Sequence, residues 1–158
     1  MFSLWGTPLG NMIMTFIVSM VPVIELRGAI PLGVLNGLDV GTAMVISIIG
    51  NLVPVPFIII FIRKIFKWMQ TKSETLAKVV HKMEEKADKK KDQVLKYEFW
   101  GLLILVAIPL PGTGAWTGAL VAAMLDMRLS RAFPAILLGV IIAGIVVTMA
   151  TYGVASIF

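Results

Sequence analysis

Long uncharged stretches dominate the chain and are separated by one charged segment. Residues 40–62 form an uncharged run of 23, and residues 132–157 form a second apolar run. A helix that crosses the hydrocarbon core of a bilayer needs roughly 20 apolar residues. Both runs are therefore predicted to be transmembrane helices. We expect the first to be kinked where Pro54 and Pro56 remove backbone donors, with Asn51 placed to satisfy freed backbone groups.

Two other apolar regions, 8–35 and 98–125, are interrupted near their middles by glycine and proline. The interruptions read VPVIELRGAIPLG, from residue 21, and IPLPGTGAWTG, from residue 108. Each flanking arm has about 11 to 15 residues and spans about 16 to 22 Å, less than a hydrocarbon core of roughly 30 Å. We therefore predict two re-entrant hairpins. Their interruptions should face each other, because irregular backbone at that depth must be buried in protein or line a wet cavity.

The segment 63–97 has a different character. Eleven of the fourteen Lys and Arg residues lie between Arg63 and Lys96. Because cytoplasmic loops collect basic residues, this segment is predicted to be a charged cytoplasmic helix, with both chain termini on the outer side of the cell membrane. It is either a solvated connector or, through an apolar stripe that starts at Leu76, a helix that lies on the membrane or on a partner.

The order of hairpin and span occurs twice, with opposite orientation in the membrane. The predicted fold class is therefore an all-α integral membrane protein with two inverted repeats, each a re-entrant helical hairpin followed by a transmembrane helix, joined by the charged helix. A faint sequence trace matches Gly28-Ala29 and Asp39 to Gly114-Ala115 and Asp126. The two aspartates are expected to be caps or interfacial anchors. Six ordinary short helices are the alternative arrangement.

Glu25 and Arg27 bring charge into the first interruption. A charge at the bilayer centre costs about 2.5 to 3.5 kcal/mol, so something has to compensate it. In the functional interpretation Glu25 takes up and releases a proton, and Arg27 holds an anionic group, or holds Glu25 when no substrate is bound. In the alternative interpretation the two residues form a buried ion pair that locks the hairpin.

The second interruption brings backbone donors instead. Gly112, Thr113 and Gly114 open the return arm, where free N–H groups and the helix dipole suit an anion. The hydroxyls of Thr113 and Thr117 either contact a ligand or bond back to helix carbonyls. Trp116 is either a flat wall for an organic substrate or a packing residue. The predicted substrate- or proton-binding residues are Glu25, Arg27, Gly28, Pro31, Pro111, Gly112, Thr113, Gly114, Trp116 and Thr117.

Composition narrows the chemistry. The chain has no cysteine and a single histidine, His81, which argues against a metal centre, a thiol nucleophile or another bound cofactor. The net charge of +5 is concentrated in one loop that also carries acids, so nucleic acid is not an expected partner. The sequence contains no nucleophile and base pattern that predicts an enzyme.

The segments IELRGAIPLG, from residue 24, and PLPGTGAWTGAL, from residue 109, resemble the small multidrug export proteins. That family is thought to be distantly related to the DedA proteins, which have two facing re-entrant hairpins and are associated with recycling the lipid carrier undecaprenyl phosphate. The resemblance implies a proton-coupled or lipid-handling transporter of the plasma membrane. It places Glu25 and Arg27 in the first family motif and residues 111–114 in the second.

Three functional hypotheses follow. The first is a small secondary transporter, coupled to protons, that exports an organic cation or amphipathic drug by rocking one half against the other. The second is a flippase for an anionic, phosphate-bearing lipid, held by Arg27 and the return arm at Gly112. The third is a membrane assembly or scaffold protein that transports nothing. A homodimer is expected, because one copy offers little wall for a translocation path.

Overall fold

The computed structural model describes residues 5–89, 91–110 and 112–157. All regular secondary structure in these residues is helical, which confirms the predicted all-α class. The helices are α1 (Pro8–Met20), α2 (Glu25–Leu35), α3 (Val40–Leu52), α4 (Pro54–Lys72), α5 (Glu74–Lys89), α6 (Lys91–Ala107), α7 (Ala115–Met124) and α8 (Leu129–Ile157).

Two stretches are long and apolar enough to cross a membrane. They are Val40–Lys72, with 33 residues, and Leu129–Gly153, with 25 residues. The first is divided at Val53, directly before Pro54, so the predicted proline interruption is confirmed. It continues ten residues beyond the predicted end at residue 62, because no helix-breaking residue occurs before Ser73.

Two helical hairpins are built from these elements. In hairpin 1, α1 packs against α2, and in hairpin 2, α6 packs against α7. The segment between α1 and α2, residues 21–24, is called break 1, and the segment between α6 and α7, residues 108–114, is called break 2. α1 also packs against α3, and α6 packs against α8, so each hairpin leans on the apolar helix that follows it.

A glycine permits the closest approach in each of these packings. A Cβ atom on Gly50 of α3 would lie 2.6 Å from the carbonyl oxygen of Phe16. A Cβ atom on Gly139 of α8 would lie 2.9 Å from the carbonyl oxygen of Leu103. Because real Cβ atoms are not found so close to backbone, both contacts depend on the missing side chain.

The second arm of hairpin 1 ends in a Schellman motif. The N–H of Leu38 donates to the carbonyl of Gly33 over 3.0 Å, and the N–H of Gly37 donates to the carbonyl of Val34 over 3.0 Å. Gly37 has a φ of 93°, the left-handed conformation that this motif requires. The motif satisfies carbonyls that the end of α2 would otherwise leave without partners.

The second arm of hairpin 2 ends in the same motif, 89 positions later in the chain. The N–H of Met127 donates to the carbonyl of Ala122 over 2.9 Å, and the N–H of Asp126 donates to the carbonyl of Ala123 over 3.2 Å. Asp126 adopts the left-handed conformation with a φ of 53°. In this motif Asp126 occupies the position that Gly37 occupies after α2, whereas Asp39, its partner in the sequence trace, is the N-cap of α3.

The same spacing of 89 relates the buried faces of the helices. Eight buried residues of α2 and α3 have counterparts 89 positions later that are both buried and helical: Leu26, Ala29, Ile30, Gly33, Ala43, Ser47, Gly50 and Asn51. Their counterparts on α7 and α8 are Ala115, Gly118, Ala119, Ala122, Ala132, Ile136, Gly139 and Val140. The two hairpin and helix units thus present the same backbone faces to the core, although their side chains differ.

The charged segment is less regular than predicted. It divides into the end of α4, the whole of α5 and the beginning of α6, and α6 runs without interruption across the predicted boundary at residue 97. Most side chains of the apolar stripe that starts at Leu76 lie outside the described residues. Asp39 is the N-cap of α3, which confirms the predicted cap. The Oδ1 atom of Asp126 lies 3.5 Å from the Nε atom of Arg63.

Candidate functional site

The carboxylate of Glu25 lies at the amino terminus of α7, where the two hairpins meet. The Glu25 side chain is 3% exposed, and its Oε1 atom accepts a hydrogen bond from the main-chain N–H of Trp116 over 3.2 Å. The first N–H groups of a helix lack partners within it and carry partial positive charge. Glu25 therefore caps a helix of the opposite hairpin.

Gly114 makes room for this carboxylate. It is the N-cap of α7, contributes no capping side chain, and has a φ of 127° that favours glycine. A Cβ atom on Gly114 would lie 2.8 Å from Cδ of Glu25. Glu25 itself has a φ of 49°, an uncommon conformation for a residue with a side chain. The contacts with α7 hold Glu25 in this conformation, which costs about 1 to 3 kcal/mol.

Arg27 contacts break 2 rather than Glu25. Its guanidinium donates to the carbonyl of Leu110, to the carbonyl of Ile108 over 3.4 Å, and to the hydroxyl of Thr113 over 2.8 Å. These carbonyls follow the end of α6, where helical partners run out. Arg27 and Glu25 thus contact different groups of hairpin 2, and no ion pair joins them in this structure, in which both residues are described.

Trp116 makes the reciprocal contact with the end of α1, directly before break 1. Its indole Nε1–H donates to the carbonyl of Met20, the last residue of α1, over 3.0 Å. Arg27 and Trp116 are counterparts in the spacing of 89 residues, and each reaches the end of the first arm of the other hairpin. Each hairpin therefore donates side-chain hydrogen bonds to the other.

The hydroxyls of the two threonines in the predicted site are hydrogen-bonded to main-chain carbonyls. The hydroxyl of Thr113 lies 2.6 Å from the carbonyl of Ile108, and the hydroxyl of Thr117 donates to the carbonyl of Gly112 over 2.9 Å. Bonding back to main-chain carbonyls, one of the two interpretations of the sequence, is thus the arrangement that the structure has. Together with the contact of Thr113 to Arg27, these bonds shape break 2.

A narrow crevice lies between the hairpins and has no room for a water molecule. Its lining residues are Glu25, Leu26, Arg27, Asn51, Val106, Gly114, Ala115, Val140 and Ala143. Six of them form counterpart pairs in the spacing of 89, namely Glu25 with Gly114, Leu26 with Ala115, and Asn51 with Val140. The crevice therefore lies where corresponding parts of the two units meet.

The predicted residues are only partly brought together. Glu25, Arg27 and Gly114 line the crevice, and Thr113 and Trp116 contact its charged residues. Four others neither line it nor contact its charged residues: Gly28 packs against Ile24, Pro31 lies inside α2, Gly112 is exposed with a φ of 82°, and Thr117 donates to the carbonyl of Gly112. Pro111 lies outside the described residues.

Asn51 is the polar crevice residue that the sequence did not predict to be part of the site. It is 1% exposed, and neither its Nδ2 nor its Oδ1 has a hydrogen-bond partner among the described residues. The prediction that Asn51 satisfies backbone freed by Pro54 is therefore wrong. A signal for its position was available, because Ala43, Ser47 and Asn51 recur every four residues and so share one face of α3.

These features define a helical membrane protein built around a buried carboxylate. Two helices have the length and composition to cross a bilayer, and the carboxylate lies where two helical hairpins meet. Within the described part of the chain, no group of three or more acidic and histidine side chains is placed to hold a metal ion.

The family model described as "Putative small multi-drug export protein" matches residues 25–146, well over half of the chain. The chain belongs to this family, which confirms the resemblance seen in its sequence motifs. The match begins at Glu25 and includes both Arg27 and break 2. No curated protein and no solved structure matches the chain. Membership in an export family, together with two apolar helices, indicates a membrane transporter rather than an enzyme.

Proposed function

We propose that the protein is a proton-coupled exporter of amphipathic organic cations, and that protons and substrate compete for the carboxylate of Glu25. The observation that carries this proposal is the position of that carboxylate. It is buried between two hairpins and accepts a hydrogen bond from the N–H of Trp116, while the guanidinium of Arg27 is hydrogen-bonded to break 2 and forms no salt bridge with it. A carboxylate without a paired cation is free to accept a cation from outside.

Proton binding at Glu25 changes the strength of the interaction between the two hairpins. An ionised carboxylate is a strong acceptor for the N–H groups at the start of α7 and a favourable partner for the helix dipole. Protonation removes the charge and weakens both interactions. A cationic substrate also competes with these N–H groups for the carboxylate. One bound proton therefore excludes one bound cation, which is the requirement for exchange.

The two units supply a route to alternating access. The matching Schellman motifs, buried faces and glycine contacts at Gly50 and Gly139 support two inverted repeats related by an axis through the crevice. In transporters of this kind one repeat rocks against the other around a fixed site. The charged segment would lie in the cytoplasm and both termini outside, on the distribution of Lys and Arg. A homodimer would complete the wall around the path.

A phosphate-bearing lipid is the less favoured substrate. The α7 amino terminus, which the sequence suggested for an anion, is already occupied by the carboxylate of Glu25. The guanidinium of Arg27 is likewise occupied by the carbonyls and hydroxyl of break 2. An anionic head group would have to displace both residues and would lie beside a like charge, whereas a cation needs only the carboxylate.

The test is transport by the purified protein in liposomes with an imposed proton gradient. A fluorescent lipophilic cation is the first substrate, and a labelled lipid phosphate is the second. We expect gradient-driven movement of the cation, its loss in Glu25→Gln, and its retention in Glu85→Gln, which removes the same charge from an exposed position on α5. Cation transport by Glu25→Gln at the wild-type rate would contradict the proposal. Lipid movement independent of Glu25 would favour the flippase.

A further inference from the structure

Asn51 presents an unused amide to the crevice that contains Glu25. We infer that Asn51 is a second substrate-contacting residue, and that together with Glu25 it selects protonated amines over quaternary ammonium ions. This inference rests on the proposed function and adds the substrate class. It is carried by the burial of Asn51, by the absence of partners for either of its polar atoms among the described residues, and by its place in the crevice lining.

The packing of the helices does not explain an amide at this position. A buried polar group without a hydrogen bond costs free energy that folding does not recover. The counterpart of Asn51 on α8 is Val140, which also lines the crevice and is fully buried. An aliphatic side chain is therefore compatible with this backbone position, and the amide has a use other than packing.

The buried polar side chains of hairpin 1, which precedes α3, have hydrogen-bond partners. The hydroxyl of Thr15 donates to the carbonyl of Asn11 over 2.7 Å, and the hydroxyl of Ser19 donates to the carbonyl of Phe16 over 2.7 Å. The amide of Asn11 donates to the carbonyl of Asn36 over 2.6 Å. Asn51 of the following helix differs from these residues, because its amide lines the crevice between the two units and remains available there.

The chemistry of the crevice indicates which ligand would use that amide. Glu25 favours positive charge, and Arg27, which also lines the crevice, has its guanidinium hydrogen-bonded to break 2. The aliphatic walls at Leu26, Val106 and Val140 favour an apolar body. The Oδ1 atom of Asn51 accepts a hydrogen bond, which a protonated primary amine supplies through its N–H groups. A quaternary ammonium ion has the same charge and no N–H donor. The difference between the two ligands therefore isolates the contribution of Asn51.

Ligand entry requires the hairpins to separate, because the crevice in this structure has no room for water. The contacts that separate are those of Arg27 at break 2 and Trp116 at break 1. Asn51 lies on α3 and takes no part in these contacts. Its substitution is therefore expected to change ligand selection without changing the hydrogen bonds that join the two hairpins.

The test is equilibrium binding to the full-length protein in lipid nanodiscs, with radiolabelled phenethylamine and its N,N,N-trimethyl analogue as probes. We expect Asn51→Val, which copies Val140, to weaken phenethylamine binding about tenfold and to leave the affinity for the trimethyl analogue unchanged. The ratio of the two dissociation constants is the readout, since it does not depend on the fraction of folded protein. Ser47→Ala is the matched control, because Ser47 is also buried and unpartnered among the described residues but does not line the crevice.

Each outcome has a defined meaning. Equal weakening of both probes by Asn51→Val, or no weakening of either, would overturn the role of Asn51 in selection. A loss of selectivity in Ser47→Ala as well would also overturn it, since the effect would then belong to the face of α3 and not to the crevice. Binding of both probes by Glu25→Gln with wild-type affinity would instead contradict the proposed function, which separates the two failures.

Discussion

Break 1 and break 2 bring different chemistry to the same interface. Break 1 leads into α2 with two charged side chains, Glu25 and Arg27. Break 2 and the start of α7 offer main-chain groups, which are the carbonyls of Ile108 and Leu110 and the N–H of Trp116. The side chains from one hairpin therefore satisfy the helix ends of the other. Neither hairpin has this arrangement by itself.

Counterpart positions sharpen this comparison. Glu25 corresponds to Gly114, and the side chain of one fills the space that the other leaves free. Arg27 corresponds to Trp116, and each is hydrogen-bonded to the carbonyl end of the opposite first arm. Two glutamates facing each other would repel, and two glycines would leave a void. Dissimilar residues at positions 89 apart therefore make complementary contacts between the two hairpins.

The largest expected effect concerns Gly114. Gly114→Val places a side chain against Glu25 and forces a residue with a Cβ atom into a glycine conformation, which costs about 1 to 3 kcal/mol for the backbone alone. We expect transport to be lost and the unfolding temperature in detergent to fall. Gly112→Val is the control, since Gly112 also has a positive φ but a Cβ atom there would meet nothing within 4 Å. Equal effects of the two substitutions would show that contact with Glu25 is unimportant.

A smaller effect is expected when the reciprocal contacts are removed one at a time. Arg27→Met deletes hydrogen bonds from a charged donor, worth about 1.5 to 3 kcal/mol, and Trp116→Phe deletes one neutral bond, worth about 0.5 to 1.5 kcal/mol. Chemical unfolding in detergent measures the loss of stability in both variants.

The cysteine-free chain also accepts unique spin labels at Val23→Cys and Leu110→Cys, two exposed side chains in the two breaks. Arg27→Met should broaden the distance distribution between the labels more than Trp116→Phe, and the opposite order would contradict this assignment.

The smallest expected effect is on the free energy of unfolding when the left-handed residue of each Schellman motif is changed. Gly37→Ala should cost about 1 kcal/mol, because alanine is disfavoured in the left-handed conformation. Asp126→Gly relieves the same strain at the counterpart position but removes the pairing with Arg63, an exposed interaction worth about 0 to 1 kcal/mol. Its net change should lie within about 0.5 kcal/mol of zero. Chemical unfolding of the two variants distinguishes these values, and a large loss in Asp126→Gly would mean that the ion pair dominates.

Hydropathy and helix breakers were sufficient to predict the helical class and the two long apolar helices. Runs without charge require burial or lipid, and Pro54 divides the first run as expected. Glu25, Arg27 and Trp116 were identified because charge and aromatic groups are unusual beside Gly/Pro breaks. Their partners were not predictable from sequence, because these contacts join residues more than 80 positions apart.

The register of the two units also escaped prediction. The sequence trace relied on matching residue types, whereas the structural match lies in backbone conformation, where Gly37 and Asp126 take the same left-handed turn. Asn51 was assigned to backbone repair because the proline lay nearby in sequence. Its place in the same crevice as Glu25 depends on how α3 packs against α2 and α8, which no local sequence pattern encodes.

The central claim is that protons and cations compete for one carboxylate, and proton release measures this most directly. The purified protein, in a weakly buffered detergent solution with a pH indicator, is titrated with a lipophilic cation. We expect the wild-type protein and Glu85→Gln to release protons as the cation binds, up to one per bound cation, and Glu25→Gln to release none. Cation binding to the wild-type protein without proton release, or equal release by Glu25→Gln, would contradict the exchange of proton and substrate at Glu25.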